Sequence, residues 1–164
     1  MAKTHTHEIS WEEFSPPAEW SGLSGLEWMR AAIAAKAPRA PIAALIDMRM
    51  TQADEGFCRF DAWPGPQHVN PIGVVHGGFA ATVLDAACWT AVMTLSPAGE
   101  TCTTLELKTS YTRPITPATG VVTCEGRVIH RGRSTALSEA KMMDKDGKLL
   151  AHATSTLMII NLQR

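Results

Sequence analysis

The sequence predicts an α+β fold in which an antiparallel sheet wraps around one long buried helix. A run of about eighteen residues that begins at Gly77 is apolar on nearly every side, which is typical of a helix covered all round. After Gly99 the chain alternates apolar and polar residues over four stretches, as strands do. A helix that needs cover on most of its surface is satisfied by a sheet curved around it.

Length, charge and composition restrict the classes of function. The chain has 164 residues, enough for one domain with a core, and 45% of them are hydrophobic. A net charge of -1 does not suggest a nucleic-acid surface. The polar N-terminus lacks the apolar stretch of a signal peptide, so we expect a cytoplasmic protein. Buried free thiols, as in a reducing compartment, are expected for Cys58, Cys88, Cys102 and Cys124.

The N-terminal part, residues 1–40, is predicted to be an arm followed by a short helix, and residues 41–164 form the main domain. Ser24 begins an apolar periodic run and has Glu27 three residues on, which is the pattern of a capping box. Pro38 ends this helix because its ring cannot continue one.

The turn residues divide the main domain into its elements. Two strand-like runs, residues 44–52 and 55–63, are joined by Ala53-Asp54. A loop rich in Pro and Gly follows and leads to the central helix. The last tight turn is predicted at Asp146-Gly147, a typical hairpin pair. After the helix, strands are expected at residues 103–113, 119–130, 134–143 and 149–162.

An aspartate, Asp85, lies in the middle of the apolar central helix. A carboxylate there is costly unless it is paired, hydrogen-bonded or used in chemistry. One interpretation is structural, with Thr82 or Thr104 holding the buried side chain. The other is functional, with the carboxylate acting on a substrate.

The residues around Asp85 resemble a known family. Asn70, Gly73, His76, Gly77, Gly78 and Asp85 have the spacing N-x-x-G-x-x-H-G-G-x6-D. This pattern resembles that of the hotdog-fold acyl-CoA thioesterases of the phenylacetate-pathway (PaaI-like) type. The stretches SYTRP and GRVIHRGRS and the final hairpin are similar too, so that the resemblance covers roughly residues 40–161. It implies a hotdog fold, hydrolysis of an acyl-CoA substrate without metal or separate cofactor, and a homo-oligomer, either a dimer or paired dimers.

The resemblance assigns the central roles to Gly77 and Asp85. The start of a helix has free backbone N–H groups and a positive dipole end, which suit a developing oxyanion. Gly77 lets a carbonyl approach closely, and one such donor is worth about 3 kcal/mol in the transition state. The alternative is that Gly77-Gly78 only form a tight turn. Asp85 acts as general base or as nucleophile, and both roles stay open. Some relatives use a glutamate on this helix, but this helix has none.

Three further residues are candidates near the reacting group. Asn70 is expected to position the water or the carbonyl, although it can also be a simple loop residue before Pro71. His76 is expected to fix the turn or Asn70, and it is a weaker candidate for acid or base. Similar thioesterases place a hydroxyl near the carboxylate at the position of Thr104, whose alternative explanation is strand propensity.

The phosphates of CoA require cations at the mouth of the site. The turn between two predicted strands offers two guanidinium groups, a hydroxyl and a flexible backbone, and Arg113 is a lesser candidate. A solvated charged turn is the alternative. The residues of this turn are Arg131, Gly132, Arg133 and Ser134.

The spacing along the helix predicts that the site is shared between subunits. Gly77 and Asp85 are eight residues apart, which is about 12 Å along one helix. An aspartate side chain cannot span that distance to a carbonyl held at its own helix start. We therefore expect Gly77 of one subunit to face Asp85 of another.

Two other functions are compatible with the same fold. A hotdog dehydratase or hydratase pairs a histidine with an acid for proton transfer, and the HGG…D arrangement departs from that pattern. A non-enzymatic acyl-CoA sensor would bind without reaction, but no helix-turn-helix segment or basic face supports it.

Overall fold

The structure is a computed structural model that describes residues 4–13 and 22–162. Within these ranges the chain forms helices and strands in the order predicted, with one additional short helix. The elements are α1 (Gly25–Ala34), α2 (Pro41–Ile46), β1 (Met48–Asp54), β2 (Phe57–Ala62), α3 (Gly77–Met93), β3 (Glu100–Tyr111), β4 (Val122–Arg131), β5 (Thr135–Met143) and β6 (Leu149–Asn161). Two 3-10 turns lie at Pro66–His68 and Pro117–Thr119.

The six strands form one antiparallel sheet around α3. Their order is β1-β2-β4-β5-β6-β3, so β1 and β3 are the edge strands. Helix α3 packs against β2, β3, β4, β5 and β6. This arrangement is the hotdog fold, and it confirms the predicted fold class.

The side of α3 that faces the sheet is made of small and medium apolar residues. Val83, Leu84, Ala87 and Cys88 have no exposed surface. The sheet approaches so closely at Gly126 of β4 that an added Cβ there would lie 2.2 Å from the Ala87 carbonyl oxygen. This close approach explains why the sheet-facing side of the helix is made of small and medium apolar residues.

Helix α1 begins as its sequence predicts. Ser24 is the N-cap, and the reciprocal hydrogen bonds of a capping box join Ser24 and Glu27. The helix start lies against the end of α3, since Gly25 N–H donates to the Ser96 carbonyl at 2.9 Å. An added Cβ on Gly25 would overlap the Met93 carbonyl, so this contact requires glycine.

The prediction for residues 44–63 was wrong in two details. Residues 44–46, expected in a strand, belong to α2, because Pro41 starts a helix that ends at Asp47 in the left-handed conformation (φ 54°). The hairpin turn lies at Glu55-Gly56 rather than at Ala53-Asp54, because Gly56 supplies the positive φ of 68°.

Other local predictions are confirmed. The β5–β6 turn lies at Asp146-Gly147, where Gly147 has a φ of 76° and its N–H donates to the Asp144 carbonyl. All four cysteines are free and buried. Among the described helices, none combines the length and the apolar character that a membrane crossing needs.

Candidate active site

A cleft of about 380 Å³ lies at the N-terminus of α3. It is bounded by the loop before the helix and by the end of β3 with the residues that follow. Four of the predicted site residues line it, together with one residue that was not predicted. They are Asn70, His76, Gly77, Arg113 and, in addition, Tyr111.

His76 and Asn70 shape the loop that leads into α3. His76 is the N-cap of the helix, and its Nδ1 accepts a hydrogen bond from Gly78 N–H at 2.9 Å. Asn70 Oδ1 accepts hydrogen bonds from the N–H groups of Ile72 and Val74. Of the two alternatives for His76, the contact to the turn is therefore the one observed. The side-chain oxygen of Asn70 is occupied, and its NH₂ group is left to donate.

The first N–H of α3 is open to a ligand. His76 accepts from the next two N–H groups, those of Gly78 and Phe79. For the Gly77 N–H, the described residues provide no acceptor. Together with the helix dipole, this donor forms an anion-binding position at the cleft.

Tyr111 closes the cleft over Gly77. Its hydroxyl donates to the Gly77 carbonyl at 3.1 Å, and an added Cβ on Gly77 would lie 3.0 Å from its ring carbon Cζ. Glycine is thus needed at this position for packing as well as for ligand access. Sequence reasoning missed Tyr111, although it is the single tyrosine of the chain and lies within the SYTRP stretch.

Asp85 lies apart from this cleft, on the side of α3 that faces the edge strand β3. Its Oδ1 accepts a hydrogen bond from Thr104 Oγ1 at 2.9 Å. Thr82, the other predicted partner, donates instead to the Gly78 carbonyl. Among the described residues, Thr104 is the one hydrogen-bond partner of the carboxylate, and the second carboxylate oxygen stays open. Asp85 is partly exposed, so solvent or a ligand can reach it.

Gly77 and Asp85 lie on one continuous helix, as the spacing argument requires. Helix α3 runs from Gly77 to Met93 without interruption. The two residues are therefore separated by about 12 Å along its axis. Within one chain, the oxyanion donor and the carboxylate do not meet at a single reacting carbon.

The predicted phosphate-binding turn lies at the opposite end of β3 from Tyr111. Arg131 forms a partly buried ion pair with Glu100, the first residue of β3. Arg133 and Ser134 are exposed and line a cleft of about 780 Å³, and no ion pair is recorded for Arg133 within the described chain. Arg113, in the first cleft, donates to the Leu149 carbonyl at 2.7 Å. Of the three arginines predicted to bind phosphate, Arg131 and Arg113 have partners within the described residues, and Arg133 has no ion pair there.

The same architecture occurs in solved structures. The phenylacetic acid degradation-related protein of Ralstonia eutropha JMP134 aligns with a TM-score of 0.71 and 28% identity, covering 79% of this chain and 98% of that chain. The PaaI protein from the phenylacetic acid degradation operon of E. coli aligns with a TM-score of 0.72 and 21% identity, covering 85% and 96%. The fold is thus the one that these two proteins share.

One part of the chain is similar to a described family. Residues 72–151 match the thioesterase superfamily. A Saccharolobus solfataricus protein that bears the name "putative esterase" is 33% identical over 88 residues, which are 54% of this chain and 61% of that relative. The alignment therefore spans less than two thirds of the length of this relative. The matched segment contains Gly77, Asp85 and Thr104, but it excludes Asn70 and both N-terminal helices.

Proposed function

We propose that the protein is an acyl-CoA thioesterase that hydrolyses its substrate to a carboxylic acid and free CoA. The observation that carries the proposal is the Asp85 carboxylate, held by Thr104 with one oxygen open, on a helix whose first N–H is also open. These two groups are the carboxylate and the oxyanion donor that thioester hydrolysis needs. The match to the thioesterase superfamily over residues 72–151 supports the assignment.

The proposed site is assembled from two subunits that pair through β3. This edge strand is 12 residues long and bonds to β6 on one side, and no described strand covers its other side. An uncovered edge of that length is a template for pairing with a second chain. An antiparallel pair centred between Leu107 and Lys108 would place Thr104 opposite the second copy's Tyr111. Asp85 of one subunit would then lie beside Gly77 of the other.

The same pairing would gather the cationic candidates at one site. Arg133 lies at the Glu100 end of β3, and Arg113 follows the Tyr111 end. In an antiparallel pair, the N-terminal end of β3 in one subunit lies beside the C-terminal end of β3 in the other. Arg133 of one subunit and Arg113 of the other would then flank one entrance, where the phosphates of CoA require positive charge.

The reaction proceeds by attack on the thioester carbonyl. Asp85 either removes a proton from water, whose oxygen attacks the carbonyl carbon, or attacks that carbon itself to give an anhydride that water then opens. In both cases the carbonyl oxygen gains negative charge and accepts a hydrogen bond from Gly77 N–H. The C–S bond then breaks, and the sulfur leaves as the CoA thiolate and takes up a proton. The NH₂ group of Asn70 can donate to the water or to the carbonyl.

Release of thiol from a panel of acyl-CoA substrates tests the proposed class of function. A thioesterase frees one CoA thiol per acid formed. A hydratase would instead change the acyl group and keep the thioester, and a sensor would bind acyl-CoA without releasing thiol. Absence of thiol release across acyl groups of all sizes would exclude the thioesterase assignment.

Mixing two inactive variants tests the shared site. Asp85→Ala and Asn70→Ala are dissociated together and allowed to reassociate in equal amounts. If each site takes Asp85 from one subunit and Asn70 from the other, a mixed dimer has one site with both changes and one native site. Random pairing makes half of the dimers mixed, so roughly a quarter of the wild-type activity should return. A site within one chain recovers nothing, and mass-tagged subunits confirm that exchange took place.

A further inference from the structure

A large apolar cavity lies between the N-terminal helices and the central helix. Its volume is about 610 Å³, within the usual range for a small-molecule site. Residues of α1, α2, β1 and α3 contribute to its walls, and two tryptophans are among them. The apolar walls include Trp28, Met29, Ile33, Ile42, Met50 and Trp89.

The cavity begins next to the candidate carboxylate. Ala86, which follows Asp85 in the chain, lines the cavity, and so does Trp89, one helical turn beyond Asp85 on the same face. Trp89 Nε1 donates to the Cys102 carbonyl of β3 at 2.8 Å, two residues before Thr104. The hydrogen bond thus fixes the indole of Trp89, which lines the cavity, against the strand that carries Thr104.

The cavity is also lined by cationic residues, and most of its lining precedes the segment that matches the thioesterase superfamily. Lys36, Arg39 and Arg49 are among the residues that line it, and Arg39 is paired with Asp47 at 2.8 Å. The match begins at residue 72, after α1, α2 and β1. The cavity is therefore built largely by the N-terminal part of this chain.

We propose that this cavity holds the acyl group of the substrate and selects straight aliphatic chains of about 10–14 carbons, an estimate from the cavity volume. The inference rests on the proposed thioesterase function and names its substrate class. A volume of about 610 Å³ holds roughly twenty water-sized groups at about 30 Å³ each. A medium-length chain with some remaining solvent fits this space, whereas an acetyl group leaves nearly all of it empty.

The walls favour an aliphatic chain over an aromatic acyl group. Methionine and isoleucine side chains adapt to a flexible chain, and Met29, Ile33, Ile42 and Met50 supply most of the apolar lining beyond the tryptophans. A phenylacetyl group has a single ring, which would reach only the part of the cavity near Ala86. A chain that extends to the far end covers the whole apolar surface.

The dependence of hydrolysis on chain length tests the proposal. Each methylene that enters the cavity contributes about 0.8 kcal/mol, so kcat/KM should rise about fourfold per methylene from butyryl-CoA to decanoyl-CoA. Phenylacetyl-CoA should react more slowly than decanoyl-CoA. A rate independent of chain length, or a preference for phenylacetyl-CoA, would overturn the proposal.

A variant that fills the cavity is compared with a matched control on the same helix. The comparison separates loss of cavity space from general damage to the fold. Ala32 of α1 lines the cavity, whereas Ala34 of the same helix is exposed and does not. Ala32→Trp should lower kcat/KM for decanoyl-CoA at least tenfold and leave butyryl-CoA within about twofold, because only the longer chain meets the new ring. Ala34→Trp should change neither. Equal effects of both variants on decanoyl-CoA would contradict the assignment.

Binding of a non-hydrolysable ligand distinguishes failure of this inference from failure of the proposed function. S-decyl-CoA, a thioether, should bind to the wild-type protein at least tenfold more tightly than CoA, and Ala32→Trp should remove this difference. If no acyl-CoA is hydrolysed but this pattern is found, the cavity assignment stands and the enzymatic one fails. If thiol is released but S-decyl-CoA and CoA bind alike, the cavity assignment fails and the enzymatic one stands.

Discussion

The two sides of α3 differ in packing and in chemistry. The side towards the sheet carries Val83, Leu84, Ala87 and Cys88, which are fully buried against β2, β4 and β5. The opposite side carries partly exposed residues and is covered incompletely by α1 and α2. It presents the Asp85 carboxylate towards the edge strand β3, and it lines the apolar cavity with Ala86 and Trp89.

This difference separates the residues that hold the fold from those available for chemistry. On the sheet side, side chains and backbone of the helix touch the strands with no spare volume, so a change there acts on stability. On the open side, a polar or larger side chain finds solvent or cavity space, so a change there acts on ligand contacts. If so, changes on the sheet side should alter stability, and changes on the open side should alter activity.

Asp85→Asn should give the largest effect, and it should be on activity alone. The amide keeps the volume and the acceptor for Thr104, but it cannot act as base or nucleophile, so kcat should fall by about 10²–10⁴. The midpoint of thermal unfolding should stay the same or rise, because an amide is easier to bury than a carboxylate. Thiol release and calorimetry measure the two quantities.

Thr82→Ala is the control for this experiment on the same side of the helix. Thr82 bonds to the Gly78 carbonyl and not to Asp85, so its replacement should leave kcat within about twofold. Full activity of a well-folded Asp85→Asn protein would end the catalytic assignment and leave Asp85 with a structural role.

Gly126→Ala should give the largest effect on stability. The added Cβ would meet the Ala87 carbonyl at 2.2 Å, so helix and sheet must separate, and the free energy of unfolding should fall by about 1–3 kcal/mol. Urea denaturation measures this change. Gly22→Ala, where an added Cβ meets nothing within 4 Å, should change stability by less than about 0.5 kcal/mol. Similar values for both variants would show that the sheet side is not tightly packed.

The buried thiols predict a smaller effect, a loss of stability at alkaline pH. Burial raises the pKa of Cys58 to about 12 and that of Cys88 to about 11, from an ordinary 9.0. The folded protein therefore keeps these thiols protonated where the unfolded chain loses the protons. Their contribution is complete below about pH 9 and declines as the pH rises from there towards 12.

Cys88→Ala isolates one thiol from the lysines and the tyrosine that titrate in the same range. The free energy of unfolding of the wild type should fall more steeply with pH than that of the variant, by up to about 1.4 kcal/mol per pH unit between pH 9 and the Cys88 pKa of about 11. Urea denaturation at half-unit pH steps gives both slopes. Parallel curves would mean that Cys88 ionises in the folded protein.

The sequence by itself determined those elements whose stabilising contacts are local. The Ser24–Glu27 capping box joins residues three apart, and the Asp146-Gly147 turn is closed within a few residues. The central helix was predictable because an apolar run of about eighteen residues that begins at Gly77 needs cover, which the sheet provides on one side. The motif that starts at Asn70 also places the candidate residues near the start and middle of this helix, since the spacing alone locates Gly77 and Asp85 about 12 Å apart.

Tertiary structure decided the contacts between residues distant in the sequence. Thr104 reaches Asp85 across 19 positions, and that contact was expected from the resemblance rather than from local spacing. Tyr111 reaches Gly77 across 34 positions, and no local pattern encodes that pair. The same holds for residues 44–46, whose apolar side chains suit a strand or a helix. They form α2 because Pro41 starts a helical turn and that turn packs on α3 and β1. The apolar cavity arises in the same way, because only the packed chain brings Trp28 of α1 and Trp89 of α3 to the same cavity.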